Sequence, residues 1–352
     1  LQQFFKTDNV TVNNRGKSGA SSKSFYRESA YWPTMVTGGS DAMQAGDFLI
    51  IQFAHNDEKN GGADGDVVKQ YYNSIGDAAT ASATDYRGTT ASGTFKEYIR
   101  KYINEAKAMG VKPIVVAPIC RKYFATGGQS IRRNGKHDLG DNFTKCDGTS
   151  LSTGNKVPES DNTYDYVEQA KAVAYEYDDV PFIDLTALTE QLYLKYGEAY
   201  CTLNLFCNDD STHPSALGAT LIAREFAQQL KLQATTETDP KRKQILEELA
   251  QDVVVSAEIT FNPTSGDMGK AYMGQSIVKE YNVSAFGVDN GAKMNISVDG
   301  GFLISNDKVN YNNSLTLTAD GNNIISSLYV KVNLNAPGKV NGTLTATVGQ
   351  QT

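Results

Sequence analysis

The sequence lacks several features that would point to other classes of protein. No run of about 18 apolar residues exists, so no segment is predicted to cross a membrane. No cluster of lysine and arginine occurs and the formal net charge is −7, which argues against a nucleic-acid partner. The three histidines (His55, His137, His213) show no metal-ligand spacing. The sequence therefore implies neither a metal nor another cofactor.

Cysteine is sparse, and its four copies are not arranged as Cys-x-x-Cys pairs, which disfavours a zinc site. Four cysteines allow three disulfide connectivities. Cys201 with Cys207 and Cys120 with Cys146 is the preferred pairing, because each bond closes a local loop. Four buried free thiols are the alternative.

Strand and helix patterns alternate over the first two thirds of the chain, which predicts an α/β domain with a parallel sheet. Residues 47–53 form a continuous apolar run typical of a strand buried on both faces. Residues 111–118 and 181–185 predict further strands, and the β-branched run 10–14 predicts a short first strand. The helical patterns cover residues 93–109, 163–178, 186–197 and 215–230.

The composition changes near residue 233, where a polar linker and a charged helix begin. Beyond them, apolar and polar residues alternate with period two between Gly, Asn and Asp turns, which predicts an all-β sandwich. The predicted domains are 1–232, a linker with a helix over 233–254, and a β-sandwich over 255–352.

An aspartate and a histidine three residues apart form the first candidate catalytic pair, Asp210 and His213. Serine hydrolysis needs a base that takes the hydroxyl proton and a carboxylate that fixes the tautomer of that base. Pro214 disfavours a helical conformation at His213, so the pair is predicted to lie on a turn before the last helix. The alternative is an aspartate that caps a turn beside a surface histidine.

Two possible oxyanion donors follow predicted strands. Asn56 comes directly after the apolar run, where its amide N–H can point into the crevice at the carboxyl ends of the strands. Gly19 lies in a loop rich in glycine and serine, where its backbone N–H is unobstructed. The alternatives are an Asx turn at Asn56 and an ordinary flexible turn at Gly19. No phosphate-loop spacing accompanies Gly19.

Three segments, taken in their order along the chain, resemble blocks of the SGNH (GDSL-like) hydrolase superfamily. They resemble its rhamnogalacturonan acetylesterase group most closely. They are NRGKSGASSKSF (14–25), GDFLIIQFAHND (46–57) and DSTHPSALGA (210–219). The resemblance covers about residues 1 to 231 and implies a three-layer, flavodoxin-like parallel sheet with helices on both faces. It also implies that His213 is the general base, that Asp210 orients it, and that Gly19 and Asn56 are oxyanion donors. Ala54 stands where the group usually has glycine.

The Gly-Asp-Ser block that carries the nucleophilic serine in this superfamily is not found in the sequence. The chain starts at Leu1 in a segment that resembles the end of a helix, so the serine is expected in an upstream segment that is missing here. Without that strand the sheet is expected to show a gap flanked by unpaired backbone groups.

The expected function is deacetylation of rhamnogalacturonan or pectin by a serine acyl-enzyme mechanism. An acetylated plant polysaccharide is the expected partner, and Arg121, Arg132 and Arg133 suit its acidic sugars, although ordinary surface charge explains them equally well. The C-terminal part resembles the immunoglobulin-like modules of secreted bacterial hydrolases, and the resemblance implies a secreted, periplasmic or cell-surface location. The alternative is a non-catalytic carbohydrate-binding or cell-surface protein.

Overall fold

The computed structural model describes most of the chain. The described residues are 1–39, 42–131, 142–144, 150–152, 165–207, 210–255, 258–286, 288, 291–320 and 323–348. Two compact units are present, one made of Leu1–Phe226 with Glu237–Asp252 and the other of Ala227–Thr236 with Val253–Thr352. The boundaries predicted at residues 232 and 255 stay predictions. Arg132, Arg133 and Cys146 lie outside the described residues.

A helix lies at each of the predicted helical segments, and further helices lie where the sequence analysis predicts none. They are α1 (Ser22–Arg27), α2 (Trp32–Thr37), α3 (Lys59–Gly62), α4 (Gly65–Ser74), α5 (Ala78–Ala83), α6 (Lys96–Ala108), α7 (Tyr166–Ala174), α8 (Leu185–Tyr196), α9 (Glu198–Tyr200), α10 (Ala216–Thr236) and α11 (Pro240–Ala250). A short 3₁₀ segment covers Gln2–Phe4, and π-helical turns cover Ala91–Phe95 and Cys201–Leu205. Within the described residues, none of these helices combines the length and apolar character needed to cross a bilayer.

The strands divide into one parallel sheet and several antiparallel ones. They are β1 (Phe48–Ile51), β2 (Lys112–Val116), β3 (Asn142–Thr144), β4 (Ser150–Ser152), β5 (Phe182–Ile183), β6 (Glu258–Asn262), β7 (Ser276–Phe286), β8 (Lys293–Val298), β9 (Phe302–Ser305), β10 (Ser314–Thr318), β11 (Asn323–Asn333) and β12 (Leu344–Val348). β3 and β4 form a short antiparallel pair.

The parallel sheet of the first unit has the order β1–β2–β5. Its consecutive residues Ile114 and Val115 are 0% and 1% exposed, so both faces of β2 are covered. Apolar side chains of α6, among them Ile99 and Ile103, join the same core cluster as Val115. The prediction of an α/β domain with a parallel sheet is therefore confirmed, while its finer three-layer, flavodoxin-like description stays a prediction. The prediction that the strand at residues 47–53 is buried on both faces is wrong, because Ile50 of β1 is 37% exposed.

The prediction of a strand over residues 10–14 is wrong. That segment belongs to no strand, and the side chain of Gln2 takes the place of a neighbouring strand. Gln2 Nε2 donates to the Val10 carbonyl (2.8 Å), and the Val12 N–H donates to Gln2 Oε1 (2.6 Å). A β-branched run forms a strand only when a partner strand satisfies its backbone groups. Within the described residues, no strand pairs with residues 10–14.

The second unit contains two antiparallel sheets, in the orders β6–β7–β11–β9 and β10–β8–β12. Along β8 the buried residues Met294 and Ile296 alternate with exposed ones, as the period-two pattern predicts. They share one core cluster with Val283 and Leu328 of the other sheet. The prediction of a β-rich C-terminal part is confirmed, and its immunoglobulin-like identity stays a prediction.

Candidate active site

The predicted pair Asp210 and His213 is brought together on one turn. His213 Nδ1 lies 2.6 Å from Asp210 Oδ2, while Asp210 Oδ1 accepts hydrogen bonds from the backbone N–H groups of Thr212 (2.5 Å) and His213 (3.0 Å). These contacts fix both the carboxylate and the imidazole relative to the same short segment of backbone. The pair has the geometry of a base and its orienting carboxylate.

The hydrogen bonds to Asp210 explain its protonation state. The His213 ring contributes most, followed by the N–H groups of Thr212 and His213, and together they lower the pKa of Asp210 to about 2. The carboxylate is thus ionised at neutral pH and favours a proton on Nδ1 of His213. The Nε2 atom is then the basic nitrogen, and it has no hydrogen-bond partner among the described residues. The side chain of His213 is 70% exposed, so a substrate can reach it.

The turn is held by the start of helix α10 and the π-helical turn before it. The N–H of Cys207 donates to the His213 carbonyl (3.0 Å), and the N–H of Ser215 donates to the Leu205 carbonyl (2.8 Å). Gly218 lies so close to Leu205 that a Cβ atom there would be 2.0 Å from the Leu205 oxygen. Only glycine lets helix α10 come this close to Leu205, and this close approach sets the position of His213.

The glycine loop presents Gly19 in a tight turn. The N–H of Ala20 donates to the Lys17 carbonyl (3.2 Å), and Gly19 has a φ of +77°, the value that a type II turn requires at its third residue. Arg87 Nη1 donates to the Gly19 carbonyl at 2.8 Å and fixes that side of the turn. The Gly19 N–H has no acceptor in the described parts of the chain, so it is available as a donor.

Asn56 follows strand β1 in a second turn, in which the N–H of Asp57 donates to the Ala54 carbonyl (2.8 Å). The side-chain amide of Asn56 makes no hydrogen bond to any described residue, so it too is available as a donor. Ala54 is buried and adopts a φ of 155°, a conformation in which glycine is usual. The departure from glycine noted in the sequence thus falls on backbone that favours glycine.

Three sets of contacts bring the candidate loops together. Asp57, next to Asn56, bonds Ser22, the first residue of the helix that follows the Gly19 loop. Arg121 Nη1 pairs with Glu58 (2.8 Å), and Arg121 Nε donates to the Thr212 hydroxyl (3.2 Å). A further bond runs from the N–H of Lys122 to the Ser211 carbonyl (3.0 Å). The loops after β1, after β2 and after the π-helical turn Cys201–Leu205 are therefore neighbours.

Sequence reasoning missed Asp57, Glu58 and Thr89. Asp57 is the last residue of the segment 46–57 that carries the family resemblance, and Glu58 directly follows it, so that position was the available signal. Thr89 lies 32 residues from its partner Asp57 and belongs to no motif. Arg121, predicted as a substrate contact, is largely buried in its ion pair with Glu58.

The predicted disulfide between Cys201 and Cys207 is wrong, because both are free thiols. Cys201 is buried in the π-helical turn with Sγ 3.5 Å from the Tyr193 carbonyl, whereas Cys207 is exposed with Sγ 3.3 Å from the Pro214 carbonyl. The two sulfur atoms therefore contact different neighbours. The second predicted bond involves Cys146 and lies outside the described residues, while its partner Cys120 is buried.

A polar cavity of about 480 Å³ adjoins the Gly19 turn. It is lined by charged, hydroxyl and aromatic side chains, including Lys17, Glu28, Tyr31 and Arg87. In the described part of the chain, no group of three or more His, Cys, Asp or Glu side chains is placed to hold a metal ion.

Comparison with known proteins places the chain near esterases. No family model matches it. It is 26% identical over 234 residues to rhamnogalacturonan acetylesterase RhgT of Bacillus subtilis (strain 168). The match covers 63% of this chain and 75% of RhgT. It is 24% identical over 120 residues to the probable rhamnogalacturonan acetylesterase YesY of the same organism, covering 34% of this chain and 43% of YesY.

A solved structure, that of the Bacillus subtilis protein YxiM, matches with a TM-score of 0.43 and 19% identity, over 66% of this chain and 48% of YxiM. The two sequence matches support a relationship to the SGNH hydrolases. They also support, at this level of identity, a hydrolase that acts on carbohydrate ester bonds.

Proposed function

We propose that this protein is a carbohydrate esterase that removes acetyl groups from rhamnogalacturonan or a related pectic polysaccharide. The observation that carries the proposal is the 2.6 Å contact between His213 Nδ1 and Asp210 Oδ2, with Nε2 left open. The relatives named rhamnogalacturonan acetylesterase support the choice of substrate. A secreted, periplasmic or cell-surface location is proposed with it, because such polysaccharides lie outside the cell.

The proposed reaction begins with a serine whose hydroxyl proton passes to Nε2 of His213 as Oγ attacks the acetyl carbon. The carbonyl electron pair moves to oxygen, and the Gly19 N–H and the Asn56 amide donate hydrogen bonds to that oxyanion. Collapse of the intermediate releases the sugar oxygen, which takes the proton from His213. Water then attacks the acetyl-serine as His213 takes its proton, and His213 returns that proton to the serine Oγ as the acyl bond breaks and acetate leaves.

The serine is proposed to come from sequence outside residues 1–352, because the Gly-Asp-Ser block is not found within them. Asp210 keeps His213 in the correct tautomer throughout the reaction. Arg121 is proposed to hold two site loops through Glu58 and Thr212, in addition to any contact with substrate. Arg132 and Arg133 remain proposed substrate contacts.

The test is acetate release by the full-length protein, including any sequence that precedes Leu1. Acetylated rhamnogalacturonan, acetylated xylan and a small aryl acetate are compared for the unchanged protein, His213→Ala and the control Asp178→Asn, which alters an exposed ion pair with Lys241. Release from the pectic substrate that His213→Ala abolishes and Asp178→Asn preserves is expected. Acetate release from xylan alone would contradict the proposed pectic substrate. No release from any of the three esters would contradict the proposed esterase function.

A further inference from the structure

A buried carboxyl group links the two loops that carry the candidate oxyanion donors. Asp57 is 0% exposed. Its Oδ1 accepts hydrogen bonds from the hydroxyls of Ser22 (2.5 Å) and Thr89 (2.9 Å), and its two oxygens accept from the Ser22 N–H at 3.2 and 3.0 Å. Asp57 follows Asn56 directly, and Ser22 lies three residues after Gly19. One side chain therefore joins both loops.

The surroundings of this link are also fixed by buried hydrogen bonds. Tyr102 donates its hydroxyl to the Ser22 carbonyl (2.6 Å). Tyr166 donates to the carbonyls of Asp57 (3.1 Å) and Thr89 (2.6 Å), and the Thr89 N–H donates to the Asp57 carbonyl (2.9 Å). Ser22 is thus held through its N–H, its hydroxyl and its carbonyl, and it has little freedom to move relative to Asp57.

We propose that Asp57 is a positioning residue, whose carboxyl group holds the Gly19 loop against the Asn56 loop so that the two donors converge on one oxyanion. This inference rests on the proposed esterase function. Gly19 and Asn56 each present a donor with no acceptor among the described residues, so their spacing has to be set by neighbouring contacts. The Asp57 link is the shortest connection between them that the described contacts provide.

The proposal makes a specific kinetic prediction. Misplacement of a reacting or stabilising group by about 1 Å can lower a rate about 100-fold. Asp57→Ala removes all the acceptors at once and is expected to lower kcat about 10- to 100-fold with little change in KM. Asp57→Asn keeps one acceptor oxygen, and Ser22→Ala removes only the hydroxyl donor, so both are expected to have smaller effects on kcat.

The experiment measures kcat, KM and thermal stability for these variants in the full-length protein, with Asp165→Ala as the matched control. Asp165 is also a buried aspartate (4% exposed), and it caps α7. The control is expected to lower the melting temperature and leave kcat of the folded enzyme unchanged. A fall in kcat for Asp57→Asn and Ser22→Ala, at temperatures where both are fully folded, is the expected result.

Combining Asp57→Asn with Asn56→Ala separates positioning from mere stability. If Asp57 acts through the donors, its replacement costs less in kcat once the Asn56 amide is gone, so the combined effect is smaller than the product of the two. Unchanged kcat in the folded Asp57 and Ser22 variants would overturn the positioning role and leave the proposed function standing. Effects of Asp57→Asn and Asn56→Ala on kcat that multiply fully would do the same. An inactive unchanged protein would refute the proposed function, and the positioning role with it.

Discussion

Replacing Asp210 by asparagine tests the proposed catalytic pair of Asp210 and His213. The asparagine carbonyl can still accept from the N–H groups of Thr212 and His213, which now bond Asp210 Oδ1. The amide NH₂ takes the position of Oδ2, 2.6 Å from His213 Nδ1. Because two donors cannot face each other, Nδ1 must become the acceptor and the imidazole proton moves to Nε2.

This change is expected to leave the fold intact and to remove the proposed base. A histidine protonated on Nε2 cannot take the serine proton, and the same tautomer error in a serine-protease triad costs about 10⁴-fold in kcat. The His213 side chain is 70% exposed, so water can stabilise other ring orientations and restore part of the activity. We therefore expect kcat to fall by about 10²- to 10⁴-fold.

The assay is the initial rate of acetate release by the full-length protein, with Asp178→Asn as the control. The melting temperature of Asp210→Asn is expected to change little, because the asparagine carbonyl keeps the hydrogen bonds from the Thr212 and His213 N–H groups and the altered contact with His213 is exposed. A fall of less than about threefold in folded Asp210→Asn would refute the assignment of Asp210.

Three further predictions follow from the site. Asn56→Ala should lower kcat about 10²- to 10³-fold with KM nearly unchanged, and an effect mainly on KM would contradict its role as an oxyanion donor. Gly218→Ala should destabilise the protein by about 1–3 kcal/mol and lower kcat, because a Cβ would lie 2.0 Å from the Leu205 oxygen; an unchanged melting curve would contradict that close approach. Burial raises the pKa of Asp57 from 3.8 to about 7, so its folded state binds a proton more tightly than its unfolded state. Stability should then fall as pH rises from about 4 to 7, and Asp57→Asn should reduce this dependence in urea unfolding at pH 5 and pH 8.

The contacts of the candidate site that the sequence predicts correctly depend on local spacing. Asp210 and His213 lie three residues apart, so one turn suffices to join them, and proline after His213 already excludes a helix there. Strand β1 was recognisable from its continuous apolar run, although only one of its faces is well buried, with Leu49 and Ile51 buried and Ile50 37% exposed. Its end then located Asn56.

The parts that sequence reasoning missed depend on distant partners. Residues 10–14 have strand composition, but strand formation needs a neighbouring strand, and here Gln2 pairs with the Val10 carbonyl and the Val12 N–H. The bond between Ser22 and Asp57 joins residues 35 positions apart. The disulfide prediction failed for a different reason, since short spacing between Cys201 and Cys207 says nothing of the direction in which each sulfur points.

The most direct test of a serine esterase with His213 as its base is covalent labelling of the full-length protein by a fluorophosphonate, with the labelled peptide identified by mass spectrometry. One labelled serine, outside residues 1–352, is predicted, with labelling strongly slowed in His213→Ala and unchanged in Asp178→Asn. Labelling at a serine within residues 1–352, or labelling that is as fast in His213→Ala, would contradict the account.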